Sequence, residues 1–122
     1  MSAPAPKRVC QIIKLKPGAE AEYTRLHAAP WPGVLAALAR AHITDYTIHH
    51  AAALGLLVAH FTYTGTDFAG DMRRVGEDAE TRRWWALTDG LQESFNPAAT
   101  GSGGDEEWWT TLPEVFRFDG TA

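Results

Sequence analysis

Several features that would place this chain in other classes of protein are scarce. Its 122 residues contain one cysteine, Cys10, so an internal disulfide cannot form and a zinc–thiolate site is disfavoured. A lone thiol suits a reducing compartment, and we expect a cytoplasmic protein. The longest apolar runs, such as 54–59, are far shorter than the ~20 residues of a membrane helix. We therefore expect no membrane partner.

Basic charge and cofactor motifs are also scarce. The chain carries 11 Lys and Arg against 15 Asp and Glu, a net charge of −4, so no basic face is expected for a nucleic acid. No glycine-rich phosphate loop is present. His49 and His50 are adjacent on a predicted strand, where neighbours face opposite sides and cannot readily share one metal. We expect no metal and no organic cofactor.

Aromatic side chains, by contrast, are abundant. The chain has five tryptophans, and four of them form the adjacent pairs Trp84-Trp85 and Trp108-Trp109. Neighbours on a helix point about 100° apart, so only one of two rings can face the core fully. The other ring should meet a ligand, a partner or solvent. For Trp108 and Trp109 the sequence leaves two roles open, a lid over a ligand or packing between subunits.

The order of predicted elements defines the fold class. Alternation and helix patterns predict strands at 8–16, 43–50, 54–63 and 112–118, and helices at 19–27, 32–41, around 68–75 and at 79–93. With each pair of helices counted as one broken helix, this is a single α+β domain of ferredoxin-like βαββαβ order, with a four-stranded antiparallel sheet. Segment 1–7 is expected to be a loose tail without the apolar region of a signal peptide, and 97–107 a flexible loop.

The predicted sheet has one face that helices do not cover. Apolar residues are scattered on both faces of the strands, so a second copy of the chain is the simplest cover for the open face. We therefore expect a homodimer with its two sheets face to face, a dimeric α+β barrel.

A possible catalytic group stands at the end of the first helix. Tyr23, His27 and Trp31 are spaced by four, so Tyr23 and His27 share one helix face, and Trp31, between two prolines, is expected to fold over the same hollow. An imidazole with a pKa near ~6.5 suits proton exchange, and helix-end carbonyls would favour its protonated form. A lone histidine is also often structural, and the rings could belong to the core, so spacing alone does not decide.

Four short motifs resemble those of the L-rhamnose mutarotases, in the order that family has them. They are Tyr23 to His27 followed by Trp31-Pro32, the strand Asp45-Tyr46-Thr47-Ile48, the helix segment ending in Trp84-Trp85, and the strand Pro113-Glu114-Val115-Phe116. Together they span roughly residues 8 to 118. Two departures concern the choice of sugar: Gly33 stands where relatives often carry Glu, and a glycine-rich insertion precedes Trp108.

The resemblance implies a dimeric enzyme that interconverts the α and β anomers of a free monosaccharide without metal or organic cofactor. It implies that His27 is the proton donor and that Tyr23, Tyr46, Trp84 and Trp85 contact the sugar, L-rhamnose or a related 6-deoxyhexose such as L-fucose. The base partner stays open between Tyr46, an ordered water and His27 acting twice. Two other functions remain on the same fold: a sugar-binding dimer without activity and a dimeric α+β barrel monooxygenase.

Overall fold

A computed structural model of the protein describes residues 5–121. This part of the chain contains four α-helices and five β-strands. The strands are β1 (Lys7–Leu15), β2 (Ile43–Ala51), β3 (Leu56–Tyr63), β4 (Gln92–Glu93) and β5 (Thr110–Leu112). The helices are α1 (Glu20–Ala28), α2 (Pro32–Arg40), α3 (Phe68–Glu77) and α4 (Ala79–Asp89). None of these helices is long and apolar enough to cross a membrane.

The strands form one antiparallel sheet in the order β2-β3-β1-β4, and β5 also pairs with β1. β1 is central because β3 pairs along its length on one side while β4 and β5 share the other side. Ignoring the division between β4 and β5, this is the strand order of a ferredoxin-like fold. The predicted α+β class and antiparallel sheet are confirmed.

Alternation along β1 and β3 separates the two faces of the sheet. The face toward the helices carries the buried side chains, Val9, Ile13 and Leu15 from β1 and Leu57, Ala59, Phe61 and Tyr63 from β3. Val75 of α3 and Ala41 after α2 pack on one end of this face, and Tyr23 of α1 packs on the other end. A hollow remains between these two clusters and the helices.

Polar side chains mark where the helices begin. Asp67 accepts a hydrogen bond from the Gly70 amide at the start of α3, and Asp78 accepts one from the Thr81 amide at the start of α4. Both caps satisfy amides that a first helical turn leaves unpaired. α2 begins instead with Pro32, a residue that this position tolerates.

The C-terminal half departs from the predicted boundaries in two places. The helix predicted to run to residue 93 ends at Asp89, and Gln92 and Glu93 form β4. The prediction of a last strand at 112–118 is wrong. β5 covers Thr110–Leu112, and the described residues after it, 113–121, form no strand. Pro113 explains the end of pairing, since it lacks the amide hydrogen that a ladder needs.

The predicted tail 1–7 lies partly outside the described residues, which begin at residue 5, and Lys7 already belongs to β1. At the other end of the chain, the side chains beyond β5 are largely uncovered. Val115 is 94% exposed, Phe116 81% and Phe118 64%.

Candidate active site

A cavity of about 770 Å³ occupies the hollow between the sheet and the helices. Its wall includes five of the six side chains that the sequence singled out, His27, Tyr23, Tyr46, Trp84 and Trp85. The sixth, Trp31, is not among the lining residues. Most of the wall is apolar, with a few polar groups, as is usual for sites that bind small molecules.

The spacing of α1 brings Tyr23 and His27 together as predicted. The two rings stack with their centroids 4.2 Å apart and an angle of 27° between their planes. Tyr23 is buried, 6% exposed, whereas His27 is half-buried. α1 ends at Ala28, just before Pro30, so His27 stands on its last turn, where it lines the cavity.

The hydrogen bonding of His27 fixes which of its nitrogens is free. Its Nδ1 lies 2.8 Å from the carbonyl oxygen of Tyr23. A carbonyl can only accept, so Nδ1 carries the hydrogen and Nε2 remains for a ligand. Burial lowers the pKa of His27, and the opposing effect of this carbonyl is smaller. The helix carbonyl favours the protonated ring as expected, but desolvation outweighs it, so the net shift favours the neutral ring.

The adjacent indoles of α4 take different places, as their 100° separation requires. Trp84 is buried and stands edge-on to His27, with ring centroids 5.2 Å apart. Trp85 is half-buried and packs toward Val75 and Gly76. Trp31 stands edge-on to Trp84, with ring centroids 5.3 Å apart. It supports this wall of the cavity without lining it.

An irregularity in β2 positions Tyr46. The pairing with β3 shifts between Thr44 and Thr47, and Asp45 between them has a φ of 52°. This bulge places Tyr46 on the cavity side, stacked on Phe61 with centroids 5.3 Å apart. Although 39% of Tyr46 is exposed, desolvation raises its pKa to about 12. Burial likewise raises the pKa of Tyr23, so both hydroxyls keep their protons near neutral pH.

Several residues in or beside this cavity were not assigned to it from sequence. Trp108, Trp109, Glu107 and Ser102 complete one wall. The indole Nε1 of Trp108 donates to Oε1 of Gln92 at 2.9 Å, and Nε2 of Gln92 donates to the Tyr23 hydroxyl at 3.2 Å. The tryptophan pair was conspicuous in the sequence but its place was open, whereas Gln92 carried no signal at all.

The glycine-rich loop joins this wall through hydrogen bonds to α4. Asp89 accepts from the amide of Ser102 at 2.8 Å and from its hydroxyl at 2.5 Å. A Cβ on Gly103 would lie 3.8 Å from the Trp85 ring, which shows how closely the loop passes over that indole. The predicted mobility of 97–107 stays a prediction.

Metal binding has no geometric support within the described range. Among residues 5–121, no three His, Cys, Asp or Glu side chains are grouped so that they could hold an ion. The polar groups that line the cavity are the imidazoles of His27, His49 and His50, the Gln11 amide, phenols, indoles, the Glu107 carboxyl and a few hydroxyls. Such a set can exchange protons and form hydrogen bonds with a neutral polar ligand.

Residues 8–118 match the family model described as L-rhamnose mutarotase. The L-rhamnose mutarotase of Bacteroides thetaiotaomicron is 32% identical over 113 residues, which is 93% of this chain and 99% of that protein. The L-rhamnose mutarotase of Phocaeicola vulgatus is 31% identical over 93% of this chain and 99% of its own length. That of Mesorhizobium japonicum is 32% identical over 73% of this chain and 82% of its own length.

A solved structure agrees with the fold. The crystal structure of an L-rhamnose mutarotase from Formosa agariphila superposes with a TM-score of 0.69, covers 93% of this chain and 99% of its own, and is 21% identical in sequence. At that identity it supports the architecture alone. The family model and the sequence relatives both extend over most of the chain. The chain belongs to the L-rhamnose mutarotase family, isomerases that act on carbohydrates.

Proposed function

We propose that the protein interconverts the α and β anomers of L-rhamnose, or of a related 6-deoxyhexose such as L-fucose, and that His27 moves the proton. The observation that carries this proposal is the state of the His27 ring. The ring lines the cavity, its Nδ1 is engaged by the Tyr23 carbonyl, and its Nε2 has no hydrogen-bond partner among residues 5–121. Because burial lowers its pKa, the ring is mainly neutral at neutral pH and can accept a proton there.

One imidazole is sufficient for the chemistry. Nε2 takes the proton of the anomeric hydroxyl, the C1–O1 bond becomes a carbonyl, and the bond from C1 to the ring oxygen breaks. The same nitrogen then gives the proton to the freed ring oxygen. Rotation about the C1–C2 bond followed by the reverse steps yields the other anomer. General acid–base assistance of this kind contributes about 10²- to 10⁴-fold, which suits a reaction that already proceeds slowly in water.

The raised pKa of Tyr46 bears on the choice of base. A phenol whose pKa is about 12 is a poor base at neutral pH. We therefore assign both proton transfers to His27 and give Tyr23 and Tyr46 the role of hydrogen bonding to sugar hydroxyls. Both tyrosines line the cavity beside His27.

The indoles supply the apolar part of the site. A 6-deoxyhexose has a methyl group and ring C–H faces that can pack on an aromatic surface. In this proposal Trp84 and Trp85 provide that surface, and Trp31 holds Trp84 from outside the cavity. The hydroxyls of the sugar meet the phenols and the His27 edge.

We also propose that the working unit is a homodimer in the cytoplasm. Ile12 and Val58 are register partners on the sheet face opposite the helices, and both remain partly exposed. Leu112, 37% exposed, pairs with Cys10 on the same face. Val115 and Phe116 extend this uncovered apolar surface along the chain. A second copy packed on the face would remove it from water.

Exchange NMR at anomeric equilibrium tests the proposed activity. Saturation of one anomeric proton should be transferred to the other anomer faster when the protein is added, with L-rhamnose or L-fucose as substrate. Binding without faster exchange would instead indicate a passive sugar-binding module, and a bound haem absorbance would indicate the monooxygenase. The two sugars measured side by side rank the substrates.

A further inference from the structure

The buried amide of Gln92 has a single allowed orientation. Gln92 is 3% exposed and both ends of its amide are bonded. The indole nitrogen of Trp108 carries a hydrogen and can only donate, so the carbonyl end of the amide must face it. The NH₂ end then faces the Tyr23 hydroxyl, at 3.2 Å. The chemistry of the indole thus sets the direction of both hydrogen bonds.

This orientation restricts what the Tyr23 hydroxyl can do. Its oxygen accepts from Gln92, so its own hydrogen must point to another acceptor. Tyr23 lines the cavity, and Tyr46 and Asp89 are close enough for their charges to raise the pKa of Tyr23. Among residues 5–121 the Tyr23 hydroxyl makes no hydrogen bond as a donor, so under the function proposed above a sugar oxygen in the cavity is its acceptor.

We propose that Gln92 is a positioning residue that holds the Tyr23 hydroxyl as a hydrogen-bond donor to the sugar, with Trp108 fixing the amide. This inference rests on the proposed function and adds a residue that acts on substrate only through Tyr23. The hydroxyl is thereby matched to an acceptor on the ligand, a ring oxygen or a hydroxyl oxygen.

Local hydrogen bonds hold Trp108 in the place that this role needs. The hydroxyl of Ser94 donates to the Trp108 carbonyl at 2.6 Å. The side-chain amide of Asn96 donates to the Glu107 carbonyl at 3.1 Å. The segment that follows the glycine-rich loop is therefore fixed against the residues just after β4, and its indole reaches Gln92.

Gln92→Glu tests the proposal by reversing one hydrogen bond with almost no change of shape. The introduced carboxylate still accepts from Trp108, but it must also accept from Tyr23, which turns the phenolic hydrogen away from the sugar. Near neutral pH we expect anomer exchange of L-rhamnose to slow by about 10- to 100-fold, the effect of an unpaired buried polar group. At acid pH the introduced group becomes protonated, regains a hydrogen to donate, and mimics the amide.

The pH profile and a double variant separate positioning from a structural effect. The rate of anomer exchange with Gln92→Glu, relative to wild type, should recover as the pH falls. In a Tyr23→Phe background, Gln92→Glu should not slow anomer exchange any further. Trp108→Phe, which frees the amide to rotate, should slow exchange in wild type but not in Tyr23→Phe. This second variant serves if Gln92→Glu does not fold.

The other outcomes overturn the proposal. An unchanged rate in Gln92→Glu, a loss that does not depend on pH, or an equal loss in the Tyr23→Phe background would show that Gln92 does not act through the Tyr23 hydroxyl. If wild type itself fails to accelerate exchange, the proposed function fails, and this role of Gln92 fails with it. An active wild type with an indifferent Gln92 refutes the positioning role alone.

Discussion

At the scale of single residues, solvent access to the His27 ring governs its acid–base role. The ring sits against Tyr23 and Trp84, with centroids 4.2 and 5.2 Å away, and this partial burial disfavours a positive charge. The sequence placed His27 and Tyr23 on one helix face correctly because a spacing of four is fixed by the helix itself. It could not supply the degree of burial, which depends on residues of other elements.

The rate should follow the neutral form of His27. Because its pKa lies below the ordinary value of 6.5, we expect the enzymatic rate to be highest at neutral and alkaline pH and to fall to half only below pH 6.5. Exchange NMR across this range, with the uncatalysed rate subtracted at each pH, measures the profile. A rate that rises as the ring becomes protonated would contradict the proposed order of proton transfers.

Tyr46→Phe should weaken sugar binding rather than abolish catalysis. The change removes one hydroxyl from the cavity and leaves the stacking on Phe61 in place. We expect KM to rise about tenfold, in the range expected for one lost hydrogen bond, while kcat changes little. A collapse of kcat at unchanged KM would show that Tyr46 is the missing base.

At the scale of elements, α2 and α4 meet at Gly33 and Glu80. α2 has no acidic residue in its first turn and no side-chain cap. Glu80 of α4 fills the space beside Gly33, where a Cβ would overlap its carboxylate. Its Oε2 is buried without a hydrogen-bond partner. A carboxylate at this end of α2 complements the helix dipole.

Gly33→Ala should therefore lack the usual stabilising effect of replacing a helical glycine. The added Cβ displaces the Glu80 carboxylate, the end of a flexible side chain, and loss of that charge from the start of α2 should offset about 0.3–1 kcal/mol of the gain in unfolding free energy. In a Glu80→Ala background the same change should be stabilising by about 0.5–1 kcal/mol. Chemical denaturation of wild type, the two single variants and the double variant measures the four unfolding free energies. Equal effects of Gly33→Ala in both backgrounds would refute the contact with Glu80.

A buried carboxylate ties α3 to β3 away from the cavity. Asp71 accepts hydrogen bonds from the Tyr63 hydroxyl and from Arg74 at 2.6 Å, and His42 lies 3.1 Å away. These partners, the Tyr63 bond first and Arg74 next, lower the pKa of Asp71 to about 2. Its ionised form is therefore favoured in the folded protein more than in the unfolded chain.

Asp71→Asn should lower the melting temperature at neutral pH, and the difference from wild type should shrink in acid. A lowered pKa contributes stability that is complete above the ordinary value of 3.8 and is lost as the pH falls toward about 2. Thermal denaturation followed by circular dichroism at neutral and acid pH checks this. A constant difference at every pH would mean that the charge of Asp71 does not matter.

Element types were more predictable than their ends. Alternation in β1 and β3 is a local signal, and the structure confirms both strands. β4 has two residues, too few for any periodicity to register. Gln92 escaped notice for a different reason: its proposed role depends on a hydrogen bond from Trp108, a partner 16 residues away. Tyr46 reaches the cavity through a bulge that no alternation pattern predicts.

At the scale of the whole molecule, the apolar sheet face opposite the helices should be the contact between two copies. Ile12→Lys places a charge in its centre, where Ile12 is flanked by Val58 and Thr110. Light scattering coupled to size exclusion should give a dimeric mass for wild type and a monomeric mass for this variant. Leu87→Lys, at an apolar residue of α4 that is 47% exposed, is the matched control and should stay dimeric. A monomeric wild type would refute the interface.

The central claim is that the imidazole of His27 shuttles a proton on a sugar held in the cavity. His27→Asn tests it most directly, because the asparagine amide can still donate to the Tyr23 carbonyl while Nε2 is lost. Magnetisation transfer between the anomers of L-rhamnose should be accelerated by wild type and should fall about 10²- to 10⁴-fold in the folded variant, with binding of the sugar largely retained. Exchange as fast with His27→Asn as with wild type would contradict the claim.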